Sequence, residues 1–114
     1  MVVETRSEEA DRLFGALSNA TRRDIVRRTL EADYSVSQLA RCYPSSFAAV
    51  QKHVAVLERA GLVSKRAHGR EQLVRGETEA IAVVRVLLDQ LEAVWRDRLE
   101  GFERILKETK GDTE

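Results

Sequence analysis

Three consecutive polar side chains stand among aliphatic residues in the segment SSFAAVQKHVAVLERAGLV, which runs from Ser45 to Val63. They are Gln51, Lys52 and His53, and they bring an amide, an ammonium and an imidazole together within one helical turn. Such groups donate hydrogen bonds, and no nucleophile with a base at a recognisable spacing accompanies them. Their chemistry is therefore that of binding, and the partner they suit best is anionic.

The segment has two faces when its residues are placed at about 100° per residue on a helix. Val50, Val54 and Leu57 share one stripe, which must face the core, and His53 lies on the boundary. Ser46 is a candidate helix cap. Small side chains near the start allow close approach, and the amides and dipole of a helix start favour phosphate. The outward residues are Ala48, Gln51, Lys52, Ala55 and Arg59.

A basic hairpin is predicted to follow Gly61, which stops this helix. Its strands are residues 62–67 and 71–75, and His68 with Gly69 forms the tight turn, because Gly accepts positive φ. A hairpin of this size must lean on the helices to be stable. The hairpin adds four candidate contacts for an anion, namely Lys65, Arg66, His68 and Arg70.

The charge of the chain is unevenly distributed although the net charge is zero. Residues 46–75 contain six cations and two acids, which gives a net charge of +4. From residue 76 onward ten acids and six cations give −4. A local basic patch attracts a polyanion, because screening limits the relevant field to about 10 Å.

Three helices are predicted before the polar segment. The first covers residues 8–17, and Asn19 caps the second, which covers residues 20–32. The third is short, follows Ser35, and is joined to the polar helix by a tight turn at residues 44–45. The second helix is expected to bury Ile25, Val26, Thr29 and Leu30. The third is expected to place Val36, Leu39, Ala40 and Tyr43 on one side.

One long helix is predicted for residues 78–108, with an apolar stripe that a single short chain cannot cover. A second copy of the chain, packed across a two-fold axis, is the expected cover. We therefore expect one domain over residues 1–114, with a core at 8–75 and a dimerisation helix at 78–108. The first helix contributes as well, so the expected interface is Leu13, Leu88, Leu91, Trp95, Leu99 and Phe102.

Composition excludes several other classes. No apolar run is long enough to span a bilayer and no leader is seen at Met1, so the expected location is the cytoplasm. Cys42 is the single cysteine, which excludes an internal disulfide. It lies on a different element from His53 and from His68, whereas zinc requires about four ligands, so no metal or other cofactor is expected. No glycine-rich phosphate loop is present either, and we predict that the chain is not an enzyme.

The order of these elements, together with four motifs, resembles the ArsR/SmtB family of bacterial dimeric repressors. The motifs are LFGALSNATRRDIVRRTL, SVSQLA, SFAAVQKHVAVLERAGLV and HGREQLVRGE. The resemblance implies a winged helix-turn-helix, mainly α with a small two-stranded β wing. The segment SVSQLAR lacks the cysteine pair of the family's metal sensors, and no histidine follows His68, so the chain resembles a branch without metal ligands.

This resemblance further implies a homodimeric repressor of transcription that binds a palindromic double-stranded operator. Ser46 to His53 would enter the major groove, and the hairpin would lie near the minor groove or phosphates. Gln51 replaces the serine usual in the family, so no base preference is carried over. The alternative is a winged-helix module for protein interaction without sequence-specific DNA binding. The effector remains unassigned.

Overall fold

A computed structural model describes the backbone of residues 2–112 and the side chains of residues 7–110. Its helices are α1 (Val2–Leu17), α2 (Ala20–Glu31), α3 (Val36–Arg41), α4 (Phe47–Arg59) and α5 (Thr78–Asp112). Its strands are β1 (Tyr34–Ser35), β2 (Val63–His68) and β3 (Glu71–Gly76). The predicted mainly helical class with a small β wing is confirmed, although α1 begins earlier and α5 ends later than predicted.

The chain divides into two compact units, which are Met1–Val84 and Arg85–Glu114. The first contains α1 to α4, the three strands and the start of α5, and the second consists of the rest of α5. Within residues 2–112, no helix has the length and apolar character needed to cross a membrane.

The core of the first unit receives side chains from α1 to α4 and from the sheet. The predicted stripe of α4 is confirmed, because Val50, Val54 and Leu57 are fully buried. Burial of Leu30 was predicted wrongly, since 40% of this residue is exposed. The other buried apolar residues are Leu13, Ala16, Ile25, Val26, Val36, Leu39, Leu62, Val63 and Val74.

Leu30 lies against the backbone of β3 at the rim of the core. A Cβ atom added to Gly76 would stand 2.8 Å from both Cγ and the backbone nitrogen of Leu30. Only glycine permits this approach, because any side chain at residue 76 would collide with main-chain atoms of α2. The apolar periodicity of α2 could not show that Leu30 would lie against the end of a strand, β3.

The sheet is antiparallel with strand order β1-β3-β2, so it has one strand more than predicted. β1 is only two residues long, and Tyr34 pairs with Val74. The hairpin turn is also displaced by one residue from the prediction. His68 pairs with Glu71, which leaves Gly69 and Arg70 as the turn, and Gly69 has φ +62°. Positive φ at the first turn position is typical of type II′ hairpins.

Ser35 belongs to β1 and also caps α3. Its hydroxyl accepts a hydrogen bond from the backbone N–H of Gln38 at 3.1 Å. The side-chain oxygen of Gln38 accepts one from the backbone N–H of Ser35 at 2.8 Å. This reciprocal pair is a capping box. Because Ser35 pairs with Leu73 of β3 at the same time, the start of α3 is tied to the hairpin.

Asp24 joins α2 to the segment that follows α3. Its carboxylate accepts hydrogen bonds from the Tyr43 hydroxyl at 2.6 Å, from Arg28 Nε at 2.8 Å and from Arg27 Nη2 at 2.8 Å. The Tyr43 hydroxyl and the two guanidinium groups hold the pKa of this carboxyl well below its usual range. The ionised form of Asp24 therefore stabilises the fold.

Asp24→Asn should lower the free energy of unfolding by about 1–2 kcal/mol at pH 7, because it removes a charged acceptor shared by three donors. Since the folded pKa lies below the unfolded value, this loss should be full above the ordinary aspartate pKa of about 3.9 and shrink as the pH falls further. Urea unfolding of Asp24→Asn and of the unmutated protein, at several pH values and one protein concentration, measures this difference in the free energy of unfolding.

Glu31→Gln is the matched control. Glu31 makes a single ion pair at 3.3 Å with Arg27, and both side chains are more than half exposed. Its replacement should therefore cost less than about 0.5 kcal/mol. Equal stability of Asp24→Asn and the unmutated protein would contradict the role given to Asp24.

Candidate functional site

The start of α4 is a capped helix end on the surface of the first unit. The Ser46 hydroxyl accepts a hydrogen bond from the Ala49 amide at 3.1 Å, and the Ser46 carbonyl accepts one from the Val50 amide at 3.1 Å, so the predicted cap is confirmed. Ala48, Gln51 and Lys52 are exposed on this end of the helix. The arrangement combines a small side chain, two donors and the positive end of a helix dipole.

The end of α4 sets the direction of β2. The Leu62 amide donates to the Leu57 carbonyl at 2.9 Å, and the Gly61 amide donates to the Glu58 carbonyl at 3.0 Å. This is the Schellman arrangement, which requires the positive φ of +78° found at Gly61. Leu62 and Leu57 are both fully buried, so the hairpin leaves α4 along a defined path.

His53 connects α4 to the end of α1 through Arg22. The guanidinium donates to the carbonyls of Ala16 at 2.7 Å and Gly15 at 3.2 Å, and its Nη1 lies 3.3 Å from Nδ1 of His53. Burial, followed by the charge of Arg22, lowers the pKa of His53. The neutral ring therefore accepts from Arg22 at Nδ1 and carries its proton on Nε2.

Three of the hairpin cations have acidic partners. Lys65 Nζ lies 3.4 Å from Glu58 of α4. Asp33 forms two hydrogen bonds of 3.0 Å with Arg75 and lies 3.4 Å from Arg66. These contacts join β2 to α4 through Glu58 and join both strands to Asp33 in the loop after α2. The two carboxylates partly offset the charge of the three cations.

Arg70 differs from the other hairpin cations. Among the described residues, no acidic partner within ion-pair distance of Arg70 is found. Its side chain lines a cleft of about 200 Å³ between the starts of α3 and α4 and the hairpin. The cleft residues are Ser35, Val36, Ser37, Phe47, Gln51, Arg70, Glu71 and Gln72.

Phe47 is a site residue that the sequence analysis did not select. It follows the cap directly and shares the spacing of Val50 and Val54, yet 48% of it is exposed. Periodicity alone places it with the core residues. The signal that could have found it is its position one residue after the cap, where the helix protrudes from the core.

The structure brings together only part of the predicted site. Gln51 and Arg70 line one cleft, whereas His53 packs toward α1 and His68 lies exposed at the end of β2. Leu13 has 1% of its surface exposed within its own chain and must be removed from the expected interface between copies. The other predicted interface residues are exposed, namely Leu88, Leu91, Trp95, Leu99 and Phe102.

Cys42 is partly buried, and its thiol donates to the Gln38 carbonyl at 3.3 Å. It caps the C-terminal end of α3. In the part of the chain that the structure describes, no three His, Cys, Asp or Glu side chains are grouped to hold a metal ion.

Known proteins similar to this chain are regulators of transcription. The HTH-type transcriptional regulator Rv2034 of Mycobacterium tuberculosis is 34% identical over 103 residues, which are 90% of this chain and 94% of that protein. An ArsR-like transcriptional regulator from Rhodococcus sp. RHA1 has a TM-score of 0.76 at 33% identity and matches 87% of this chain and 93% of its own. The transcriptional repressor BigR from Xylella fastidiosa has a TM-score of 0.58 at 26% identity, over 75% of this chain and 88% of its own. No family model matches.

Protonation of His53 should destabilise the fold. Because its folded pKa is below the ordinary value of about 6.5, the unfolded chain takes up this proton at a higher pH than the folded chain. The free energy of unfolding should therefore decrease between about pH 7.5 and pH 5.5, and His53→Gln should reduce that decrease. Urea unfolding at the two pH values tests both statements.

His68→Gln is the control for replacing a histidine by glutamine, because the side chain of His68 is exposed on the hairpin. If His53→Gln retains the full pH dependence of the unmutated protein, His53 is not buried against Arg22 in solution.

Proposed function

The chain belongs to the ArsR family of winged helix-turn-helix transcriptional regulators, and from this premise we propose that it is a homodimeric repressor that binds a palindromic operator through the major groove. Family membership confirms that the chain is a DNA-binding regulator and not an enzyme. The proposal concerns the groove, the symmetry of the DNA site, the residues in contact and the direction of regulation.

The observation that carries the proposal is the capped start of α4. Ala48 leaves room for close approach, and Gln51 and Lys52 stand exposed beside it. A recognition helix contacts base edges with its first turns, and its amides favour nearby phosphate. We propose that α4 enters the major groove with Gln51 directed at the bases and with Ser46 at the DNA backbone.

The hairpin is proposed to contact the sugar–phosphate backbone next to the helix. Arg70 is the strongest candidate, since it stands in the turn without an acidic partner in the described structure. Lys65 and Arg66 each face a carboxylate, so their attraction to phosphate is partly offset. His68 next to the turn can add a hydrogen bond. His53 is proposed to position α4 through Arg22 and to offer Nε2 to a phosphate.

A two-fold dimer is proposed to form through α5. Large apolar side chains from Leu88 to Phe102 are more than two-fifths exposed, and contiguous apolar surface of this kind marks an interaction site. A two-fold interface places the same stripe on both subunits and matches a palindromic DNA site. The similar protein BigR is a transcriptional repressor, and this supports the proposed direction of regulation.

The alternative function is a protein-interaction module without sequence-specific DNA binding. Family membership favours the DNA-binding function. A gel shift at low and high salt separates the two, since a DNA reader shows a steep decrease of affinity with salt.

Gln51→Ala and Arg70→Ala should impair DNA binding in different ways. Gln51→Ala should cost about 1–3 kcal/mol on the preferred site and little on random DNA, because it removes a base contact. Arg70→Ala should weaken both kinds of DNA alike, because it removes a phosphate contact. In a dimer it should flatten the slope of log affinity against log salt by up to about 1.8. Salt titrations on specific and random duplexes measure these effects.

Arg75→Ala is the matched arginine control on the hairpin. Its guanidinium is already bonded twice to Asp33, so the salt slope should change less than for Arg70→Ala. If Arg70→Ala abolishes sequence preference while Gln51→Ala preserves it, the hairpin reads the sequence and the assignment of α4 is wrong.

Replacing Trp95 and Phe102 together by Lys should give monomers or unfolded chain, because two charges would lie within the proposed apolar interface. Sedimentation of the unmutated protein should give the mass of two chains. Sedimentation and circular dichroism of the double variant would then show the loss of association.

Gln90→Lys combined with Glu100→Lys is the control for the dimer. Both residues are exposed on α5, outside the apolar stripe, so this variant should remain dimeric. A stable folded monomer for the unmutated protein would contradict the proposed architecture.

A further inference from the structure

Phe47 is an aromatic residue on the apolar stripe of α4 that the core does not take up. Val50, Val54 and Leu57 of the same stripe are fully buried, whereas 48% of Phe47 is exposed. Its backbone is held in place, because the Ser46 hydroxyl and carbonyl bind the amides of the next turn. The ring therefore stands at a defined position on the first turn of the proposed recognition helix.

The surroundings of Phe47 distinguish it from an isolated exposed apolar residue. It lines the cleft that also contains Gln51, Arg70 and Gln72, with Glu71 as the single carboxylate. The exposed neighbours on α4 are Ala48 and two polar residues, so no broad apolar patch suited to a protein partner surrounds the ring. The setting instead places the ring, beside the largely buried Val36, among hydrogen-bonding groups.

The edge of a thymine base in the major groove offers the matching chemistry. It carries a carbonyl acceptor and a 5-methyl group, and phenylalanine is among the side chains that contact this methyl. Cytosine, adenine and guanine present no methyl at this edge. An apolar contact here thus discriminates thymine from cytosine. The nearby amide groups of Gln51 and Gln72 and the guanidinium of Arg70 can form hydrogen bonds with polar atoms of the DNA.

We propose that Phe47 is a specificity-determining residue that selects thymine in each operator half-site by packing against its 5-methyl group. This inference rests on the proposed function, since it requires α4 to lie in the major groove. It adds a base preference to a helix whose other exposed groups are polar or small.

The test removes the methyl group from the DNA without altering the protein. Starting from an operator selected from random DNA, each thymine is replaced in turn by deoxyuridine, which retains the same hydrogen-bonding groups. For the unmutated dimer, we expect one position in each half-site at which the affinity decreases about fourfold, as burial of one methyl group implies. In Phe47→Ala the two duplexes should bind equally at that position.

Lys52→Ala is the matched control for general loss of affinity. It should weaken binding to both duplexes and keep the fourfold ratio, because it leaves the ring in place. The measurement on the unmutated protein needs no folded variant, so misfolding of Phe47→Ala would not remove the test.

Sequence-specific binding with no sensitive thymine would overturn the role of Phe47 and leave the proposed function standing. A sensitive thymine that remains sensitive in Phe47→Ala would also overturn it, since another group would then read the methyl. Absence of any sequence preference in the selection would overturn the proposed function itself.

Discussion

The open carbonyl groups at the end of α1 impose the constraint on which the arrangement of the helices depends. Arg22 donates to the carbonyls of Ala16 and Gly15, and the same guanidinium reaches His53 of α4. The exposed Gly15 carbonyl also accepts from Ser18, so the bond to the buried Ala16 is the one whose loss would cost free energy. Arg22 of α2 therefore links the end of α1 to α4 through one side chain. Burial of the imidazole, followed by the charge of Arg22, lowers the pKa of His53.

Other helix ends near the candidate site are closed in a similar way. Ser35 closes the start of α3 while it pairs with β3, and Gly61 closes the end of α4 while it turns the chain into β2. Each helix end is thus satisfied by a residue that also connects a second element. Because these links are short and directional, they fix the path from α4 into the hairpin. A fixed path is the condition for the proposed base contact on α4 and the proposed phosphate contact on the hairpin to act in one register.

Local signals predicted most of the fold, whereas the missed strand β1 and the wrongly predicted burial of Leu30 involve contacts between distant segments. The cap at Ser46 and the buried stripe of α4 depend on residues within a few positions, and both were confirmed. A strand as short as β1 leaves no periodic pattern, because it exists only through its pairing with β3. Leu30 was expected in the core since its spacing fits, but the β3 backbone at Gly76 occupies the place beside it. The candidate site was predicted as a surface, while the cleft at Phe47 required three elements to be placed together.

The field at the proposed DNA surface differs from the one that composition suggests. The sequence concentrates six cations in residues 46–75, but Glu58 and Asp33 partly offset the charge of the three on the hairpin strands. Arg75 holds the pKa of Asp33 below its usual range, so this compensation persists at neutral pH. Lys52, Arg59 and Arg70 have no such partner among the described residues, and screening confines each charge to about 10 Å. The attraction for a polyanion is therefore concentrated along α4 and at the hairpin turn, where these three side chains are exposed.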